Sequence, residues 1–300
     1  KGGGVHVKKG VSAICVLAAA VLWGCMGLFV RRLNAAGLQA LEVMELRVLV
    51  GLALAGAYLA LFHRERLRVR VRDLWCFFGT GVCSLLFFSW CYFTGMSMAS
   101  LSVMGVLLYT APAFVMLMSA LLFRERLSTA KLIALAMTFA GCCLVSGLGG
   151  GTRLSGEALL LGLGAGFGYA LYSIFSRFAI NRGYDSWTIT FYTFAFCAAG
   201  GIFLTDWRAI GGAVRADSSL WLWISMLGLL TAFLAYLLYT RGLEGMESSR
   251  ASILASVEPA VATVVGVLVF HEPLSVMNAA GIALVLGGIA VLSLGKARSV

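Results

Sequence analysis

Charge is scarce in this sequence. Only 12% of its 300 residues are Asp, Glu, Lys or Arg, whereas 61% are hydrophobic. A soluble domain carries roughly 25% charged and 45–50% apolar residues. So few charges cannot cover a water-facing surface, which excludes an ordinary soluble enzyme. Proline is rarer still, with three residues against 36 glycines, and no Gly-X-Y period accompanies them. A collagen-like or Pro-rich disordered chain is excluded on that ground. Clustered metal or redox ligands are missing too. The eight cysteines form no CxxC pair, the three histidines are scattered at His6, His63 and His271, and neither HExxH nor GxSxG occurs. No metal, cofactor or catalytic residue is expected, and the cysteines read as small buried apolar groups.

Apolar length is what the chain has instead. A helix needs about 20 mostly apolar residues to cross a bilayer. Ten such spans are expected, at 11–31, 39–62, 74–95, 99–123, 129–148, 156–179, 186–205, 219–240, 247–270 and 275–295. The first follows Lys8-Lys9 as a signal peptide would, but its apolar run is long for one, and it is expected to remain as a span. The breaks between spans are short, so the membrane part is the protein.

The net charge of +10 would suggest a polyanionic partner in a soluble chain. Position gives another reading. With the amino terminus inside, 17 of the 23 Lys and Arg fall on inside segments, five fall outside, and Arg47 lies within a span. By the positive-inside rule both termini are cytoplasmic in a plasma (inner) membrane protein. No nucleic-acid partner is then needed.

The chain also repeats itself at an offset of 147. Pro112-Ala113, Phe123, Glu125 and Leu127-Ser128 recur as Pro259-Ala260, Phe270, Glu272 and Leu274-Ser275, among eleven identities between 92 and 128. Earlier, Phe29 and Arg31 match Phe175 and Arg177 at an offset of 146. Each copy holds five spans, an odd number, so the second enters the membrane from the opposite side. The expected fold is therefore all-α and integral to the membrane, with ten transmembrane helices as two inverted five-helix repeats. The copies occupy 11–148 and 156–295, joined by a linker at 149–155 and flanked by cytoplasmic tails at 1–10 and 296–300. Inverted repeats are the plan of secondary transporters, where substrate binds near the midplane between the copies.

Tyr109-Thr-Ala-Pro-Ala-Phe-Val115 running to Phe123-Arg-Glu-Arg-Leu127, and Val257-Glu-Pro-Ala260 running to Phe270-His-Glu-Pro-Leu274, resemble the drug/metabolite transporter superfamily, EamA type. Trp23-Gly24 in span 1 and Leu46-Arg47 in span 2 add to the likeness, which covers about 11–295. The second copy departs from the first by carrying Pro273 where Arg126 stands. The resemblance implies ten spans, a central cavity lined by spans 1, 3, 4, 6, 8 and 9, and alternating access without ATP. It does not name a cargo.

Pro112 and Pro259 fall near the middle of spans 4 and 9. Proline removes a helix hydrogen bond and clashes with the preceding turn, so a kink is expected at each. It reads as a hinge at the binding site or as a packing kink. Glu258 precedes Pro259 near the bilayer centre, where a charge costs on the order of 2.5–3.5 kcal/mol. It is either a site for a proton or a cationic ligand group, or a protonated structural group bonded to a carbonyl freed by the kink. Arg47 reads as a structural ion-pair or snorkelling residue whose partner is on another span. The aromatic residues near mid-depth are Trp23, Phe88, Trp90, Tyr109, Tyr169, Tyr172 and Tyr236, with Ser84, Thr231, Ser252 and Ser256 at similar depth. Gly162, Gly164, Gly166 and Gly168 make two GxxxG pairs that permit close helix approach. Glu125 and Glu272 sit at opposite faces, as gates or as solvated helix ends.

The expected function is secondary active transport of a small organic solute through a central cavity, as an exporter of an amino acid or related metabolite. The alternative is a cationic or aromatic drug or amine. A proton is a candidate coupling ion, the lipid bilayer is the other partner, and the choice of monomer or homodimer is open. An intramembrane enzyme lacks its nucleophile or second central carboxylate, and a channel is disfavoured because two proline-kinked spans in inverted register suit alternating access better than an open pore. Phosphorylated cargo is disfavoured because only Arg47 is basic at depth.

Overall fold

A computed structural model describes residues 9–146 and 155–294. The expected tails apart from Lys9 and Gly10, the linker apart from Ser155, and positions 147–148 and 295 at span ends lie outside the described residues. Among the described residues all regular structure is helical. In chain order the helices are α1 (Gly10–Ala35), α2 (Ala40–Phe62), α3 (Val71–Met96), α4 (Leu101–Leu108), α5 (Ala111–Phe123), α6 (Thr129–Val145) and α7 (Gly156–Asn181). They continue with α8 (Ser186–Gly201), α9 (Trp207–Ala216), α10 (Leu220–Gly245), α11 (Ser248–Ala255), α12 (Glu258–Phe270) and α13 (Val276–Leu294).

Among the described residues, eight helical stretches are long and apolar enough to cross a membrane, counting α4 with α5 and α11 with α12 as one stretch each. The expected spans 5 and 7 are shorter. α6 has 17 residues and α8 has 16. At 1.5 Å per residue these cover about 24–26 Å of a hydrocarbon core near 30 Å. Ser128 accepts a hydrogen bond from the Lys131 amide and so starts α6, while α8 ends at Gly200-Gly201, where backbone freedom is highest.

The repeat is visible in local geometry. Arg124 and His271 both take the left-handed conformation, at φ 55° and 53°. The following amides, of Glu125 and Glu272, each reach back 3.2 Å to Ser119 O and Gly266 O. Gly37 and Gly183, 146 positions apart, sit at φ 88° and 89°. Beyond them the amides of Leu38 and Tyr184 each return 3.2 Å to Leu33 O and Ala179 O. A positive φ is cheap for glycine and satisfies orphan helix carbonyls. Equal stop signals therefore end α1 and α7, and α5 and α12. The start of α11 lies against the end of α5, since the Ser248 amide donates to Glu125 Oε1 at 2.8 Å. The copies thus run in opposite senses.

α1 packs along α10, α7 along α3, and α6 along α13. The last pair crosses at glycine: a Cβ on Gly141 would lie 2.6 Å from Gly281 O, and one on Gly288 would lie 3.0 Å from Ala134 O. α2 and α8 flank α10 and α3 on the other side. This leaves α1, α3, α7 and α10, with the α4–α5 and α11–α12 breaks, around the centre of the bundle.

Candidate functional site

Both prolines sit where the helices break. α4 stops at Leu108, Tyr109-Thr110 forms a turn, and Pro112 is the second residue of α5. In the second copy α11 stops at Ala255, Ser256-Val257 turns, and Pro259 is the second residue of α12. In a first helical turn the missing proline N–H is not needed. The mid-span proline has thus split each span into two helices.

A second irregularity was not anticipated from sequence. α3 is π-helical over Gly79–Leu86 and α10 over Gly228–Leu234. A glycine opens each segment, and each carries a buried hydroxyl, Ser84 and Thr231, that the sequence had placed near the cavity. Ser84 Oγ donates to Gly168 O at 2.7 Å. Trp23 Nε1 donates to Thr231 O at 3.1 Å, so a π-segment carbonyl orients the indole. π-bulges concentrate at functional sites.

Two small cavities meet at Tyr169. Trp23, Phe88, Tyr172 and Tyr236 line the first, with Tyr239 and Ser173. The rings meet edge-on: Trp23 to Tyr236 at 5.2 Å, Tyr169 to Phe88 at 5.6 Å, and Tyr172 to Tyr236 at 5.0 Å between centroids. Edge-to-face pairing of this kind is worth about 0.5–1.5 kcal/mol beyond burial. Their hydroxyls are tied down as well, Tyr172 with Thr240 Oγ1 at 2.7 Å and Tyr239 with Ser173 Oγ at 2.8 Å. Tyr109, Pro112 and Glu258 line the second cavity, with Ser252 and Ser256. Tyr169 Oη donates to Glu258 Oε2 at 3.5 Å, the outer limit for a hydrogen bond. Each cavity has a free volume of about 10 Å³, room for one water molecule and no organic solute.

Trp23-Gly24 has a packing reason. A Cβ on Gly24 would come within 2.8 Å of Glu258 O and 2.7 Å of Val261 Cβ, so only glycine lets α1 approach the start of α12. The Gly162/Gly166 pair faces Leu107 and Thr110 at the α4 break, and the Gly164/Gly168 pair faces Cys91, Phe87 and Phe88 of α3.

Two expectations change. Trp90 lies on the outward face of α3, 48% exposed beside Phe87, and does not line either cavity. It is two positions from Phe88, and residues two apart on a helix point to different faces. Arg47 neither snorkels nor forms an ion pair. It is 7% exposed, its Nη1 lies 2.9 Å from Met26 Sδ, and its Nε has no hydrogen-bond partner among the described residues. Tyr239 was also missed, although its spacing of three from Tyr236 puts the two on one helical face.

The expected gates differ from each other. The Glu125 side chain is 8% exposed and lies 3.8 Å from Lys131 Nζ; Oε1 accepts from the Ser248 amide at 2.8 Å, and Oε2 accepts from the Ser249 amide at 3.2 Å and from Ser249 Oγ. It therefore caps α11, whose own N-cap residue Glu247 makes no side-chain cap. Arg177 Nε donates to Ser248 Oγ at 3.0 Å from the other side. Glu272 pairs instead with Arg31 at 2.6 Å, with the two side chains 46% and 54% exposed.

Comparison with known proteins bears on this arrangement. The model of the EamA-like transporter family matches residues 10–147 and 156–294, one match per repeat. The uncharacterized transporter YwfM of Bacillus subtilis (strain 168) is 27% identical over 293 residues, covering 96% of this chain and 95% of its own. An uncharacterized transporter of Archaeoglobus fulgidus is 28% identical over 200 residues, covering 67% and 70%. A crystal structure superposes with a TM-score of 0.81 at 22% identity, over 97% of this chain and 99% of the other, a likeness of fold.

Proposed function

Since the chain belongs to the EamA-like transporter family, we propose that it moves a small zwitterionic solute, an amino acid or a close relative, by alternating access around the Tyr169 cavities. The observation that carries this reading is that Glu258 lines the second cavity at the α11–α12 break, while Arg47 is a buried guanidinium whose Nε has no hydrogen-bond partner among the described residues. A carboxylate that can receive an ammonium group and a guanidinium that can receive a carboxylate suit the two ends of an amino acid. The aromatic rings of the first cavity suit an apolar or aromatic side chain. Arg47 also separates this reading from a cationic drug or simple amine, which would gain nothing from a second positive group.

The cavities are too small for such a solute in this conformation, so loading requires the aromatic rings to part. The breaks at Pro112 and Pro259 and the π segments of α3 and α10 supply backbone that can adjust without unravelling whole helices. We take the direction to be export in exchange for a proton, with Glu258 holding proton and substrate ammonium in turn.

The test is counterflow in proteoliposomes with neutral amino acids, quaternary amines and sugar phosphates, for wild type, Glu258→Gln and Arg47→Gln. Amino-acid counterflow that both variants lose is the expected result. Transport of a quaternary amine that survives Arg47→Gln would favour the drug or amine reading. Exclusive sugar-phosphate counterflow would overturn the charge reasoning.

A further inference from the structure

The α2–α3 connection carries Arg64, Arg66, Arg68, Arg70 and Arg72, an alternation that a charge count absorbs as a marker of orientation. Its geometry says more. Arg68 and Arg70 have extended backbone, at φ −86° and −77°. Both side chains are exposed, and Val69 between them packs on the Phe77–Tyr184 cluster. The segment is fastened along its length. Tyr184 Oη accepts from the Arg70 amide at 3.1 Å, Thr188 Oγ1 donates to Arg66 O at 3.0 Å, and Tyr192 Oη donates to Leu67 O at 2.7 Å.

The fastened segment and the turn at Gly183 line an open pocket of about 340 Å³, far larger than either central cavity. Four guanidinium groups border it, from Arg66, Arg68, Arg70 and Arg182. Two are partly committed: Arg66 Nη1 to Asp185 Oδ2 at 2.8 Å, and Arg182 Nε to Asp73 Oδ1 at 3.1 Å. Arg68 and Arg70 have no acidic partner within 4.0 Å among the described residues, and their guanidinium groups make no hydrogen bond there. Glu65 is the other acid on the rim, and its carboxylate faces His63 at 3.2 Å. Phe62, Val71, Trp75 and Phe78, which flank the segment in the chain, are all exposed. An interfacial Trp beside lipid-facing Phe is what a membrane boundary selects.

We propose that this pocket binds the phosphate group of an anionic phospholipid, with Arg68 and Arg70 as the forks that take its oxygens and the Phe62–Phe78 surface receiving the acyl chains. Arginine is suited to this because its planar fork matches phosphate oxygens two at a time, and basic pockets at helix ends are where anionic headgroups lodge. The site does not depend on what the central cavity carries.

The test is thermal unfolding of the full chain in detergent with added dihexanoyl phosphatidylglycerol, dihexanoyl phosphatidylcholine or sn-glycerol phosphate. It is run on wild type, Arg68→Gln/Arg70→Gln and, as a control of equal charge, Arg64→Gln/Arg72→Gln. The expected result is saturable stabilisation of wild type and control by the phosphatidylglycerol alone, with about tenfold weaker binding in the Arg68/Arg70 variant. Equal effects of the two lipids, or equal loss in both double variants, would overturn the site. Glycerol phosphate acting as strongly as the lipid would overturn the lipid assignment in favour of a soluble phosphate.

Discussion

Ser248 stands between Arg177 and Glu125: its amide donates to Glu125 Oε1 at 2.8 Å, and its hydroxyl accepts from Arg177 Nε at 3.0 Å. The repeat counterparts of those two residues, Arg31 and Glu272, meet each other directly at 2.6 Å. At the Glu125 end the start of α11 is wedged between the copies, and α11 packs against α5. The corresponding helices α4 and α12 share no comparable interface among the described residues. One end of the bundle therefore carries a capped helix terminus and the other a surface ion pair.

Glu125→Ala should then be costly. It removes the cap of α11 and leaves the Ser248 and Ser249 amides without an acceptor, a loss of about 1–3 kcal/mol. Hydrogen–deuterium exchange should rise across α11 first. Unchanged exchange there would mean that the cap does not hold the start of α11.

Arg31→Gln should be nearly silent in stability. The Arg31–Glu272 pair is about half exposed on both sides, and exposed pairs are worth about 0–1 kcal/mol. Unfolding in low salt and in 0.5 M salt measures it, and a loss as large as that from Glu125→Ala would contradict the asymmetry of the two ends.

Gly166→Ala tests the close approach at the α4 break. A Cβ there would lie 2.4 Å from Thr110 Oγ1 and 2.8 Å from Leu107 O. Backbone cannot yield as a flexible side chain does, so a loss of about 1–3 kcal/mol is expected. Gly211→Ala makes a control, since nothing lies within 4 Å of its added Cβ. Equal melting temperatures for the two variants would remove the packing role of the Gly162/Gly166 pair.

Glu45 is fully buried in α2 with neither carboxylate oxygen bonded among the described residues. Its Oε2 would lie 2.1 Å from a Cβ on Gly201, so the glycine at the end of α8 makes room for it. Glu45→Met, which removes an unsatisfied acid at similar volume, should stabilise the protein by about 1–3 kcal/mol. Destabilisation by that substitution would mean that the carboxyl has a partner.

Trp90→Ala and Phe88→Ala distinguish the two faces of α3. Phe88 lines the aromatic cavity and Trp90 is exposed beside Phe87. Counterflow should survive the first substitution and fall at least tenfold with the second, since each 1.4 kcal/mol of lost contact is a factor of ten. A reversed outcome would relocate the cavity wall.

Membrane insertion, helical class and the internal repeat were legible from residues alone because each is a property of composition or register. A chain with 12% charge has no soluble alternative, and Pro followed thirteen positions later by Glu cannot recur by apolar composition. The breaks at Pro112 and Pro259 were legible for the same local reason, that a ring without an N–H ends a hydrogen-bond ladder wherever it stands. The faces were harder. Trp90 and Phe88 are equivalent in the sequence, and the π segment from Gly79 to Leu86 shifts the facing of residues around it by inserting wide turns that no residue type announces. Arg47 was misread because the atom its guanidinium meets, Met26 Sδ, belongs to another helix, α1. The roles of Glu125 and Glu272 differ for a like reason. Their backbone geometry matches, but Glu125 also lies 3.8 Å from Lys131 Nζ, and α11 packs against α5 without an equal contact between α4 and α12, so one is a helix cap with little exposure and the other a surface ion pair.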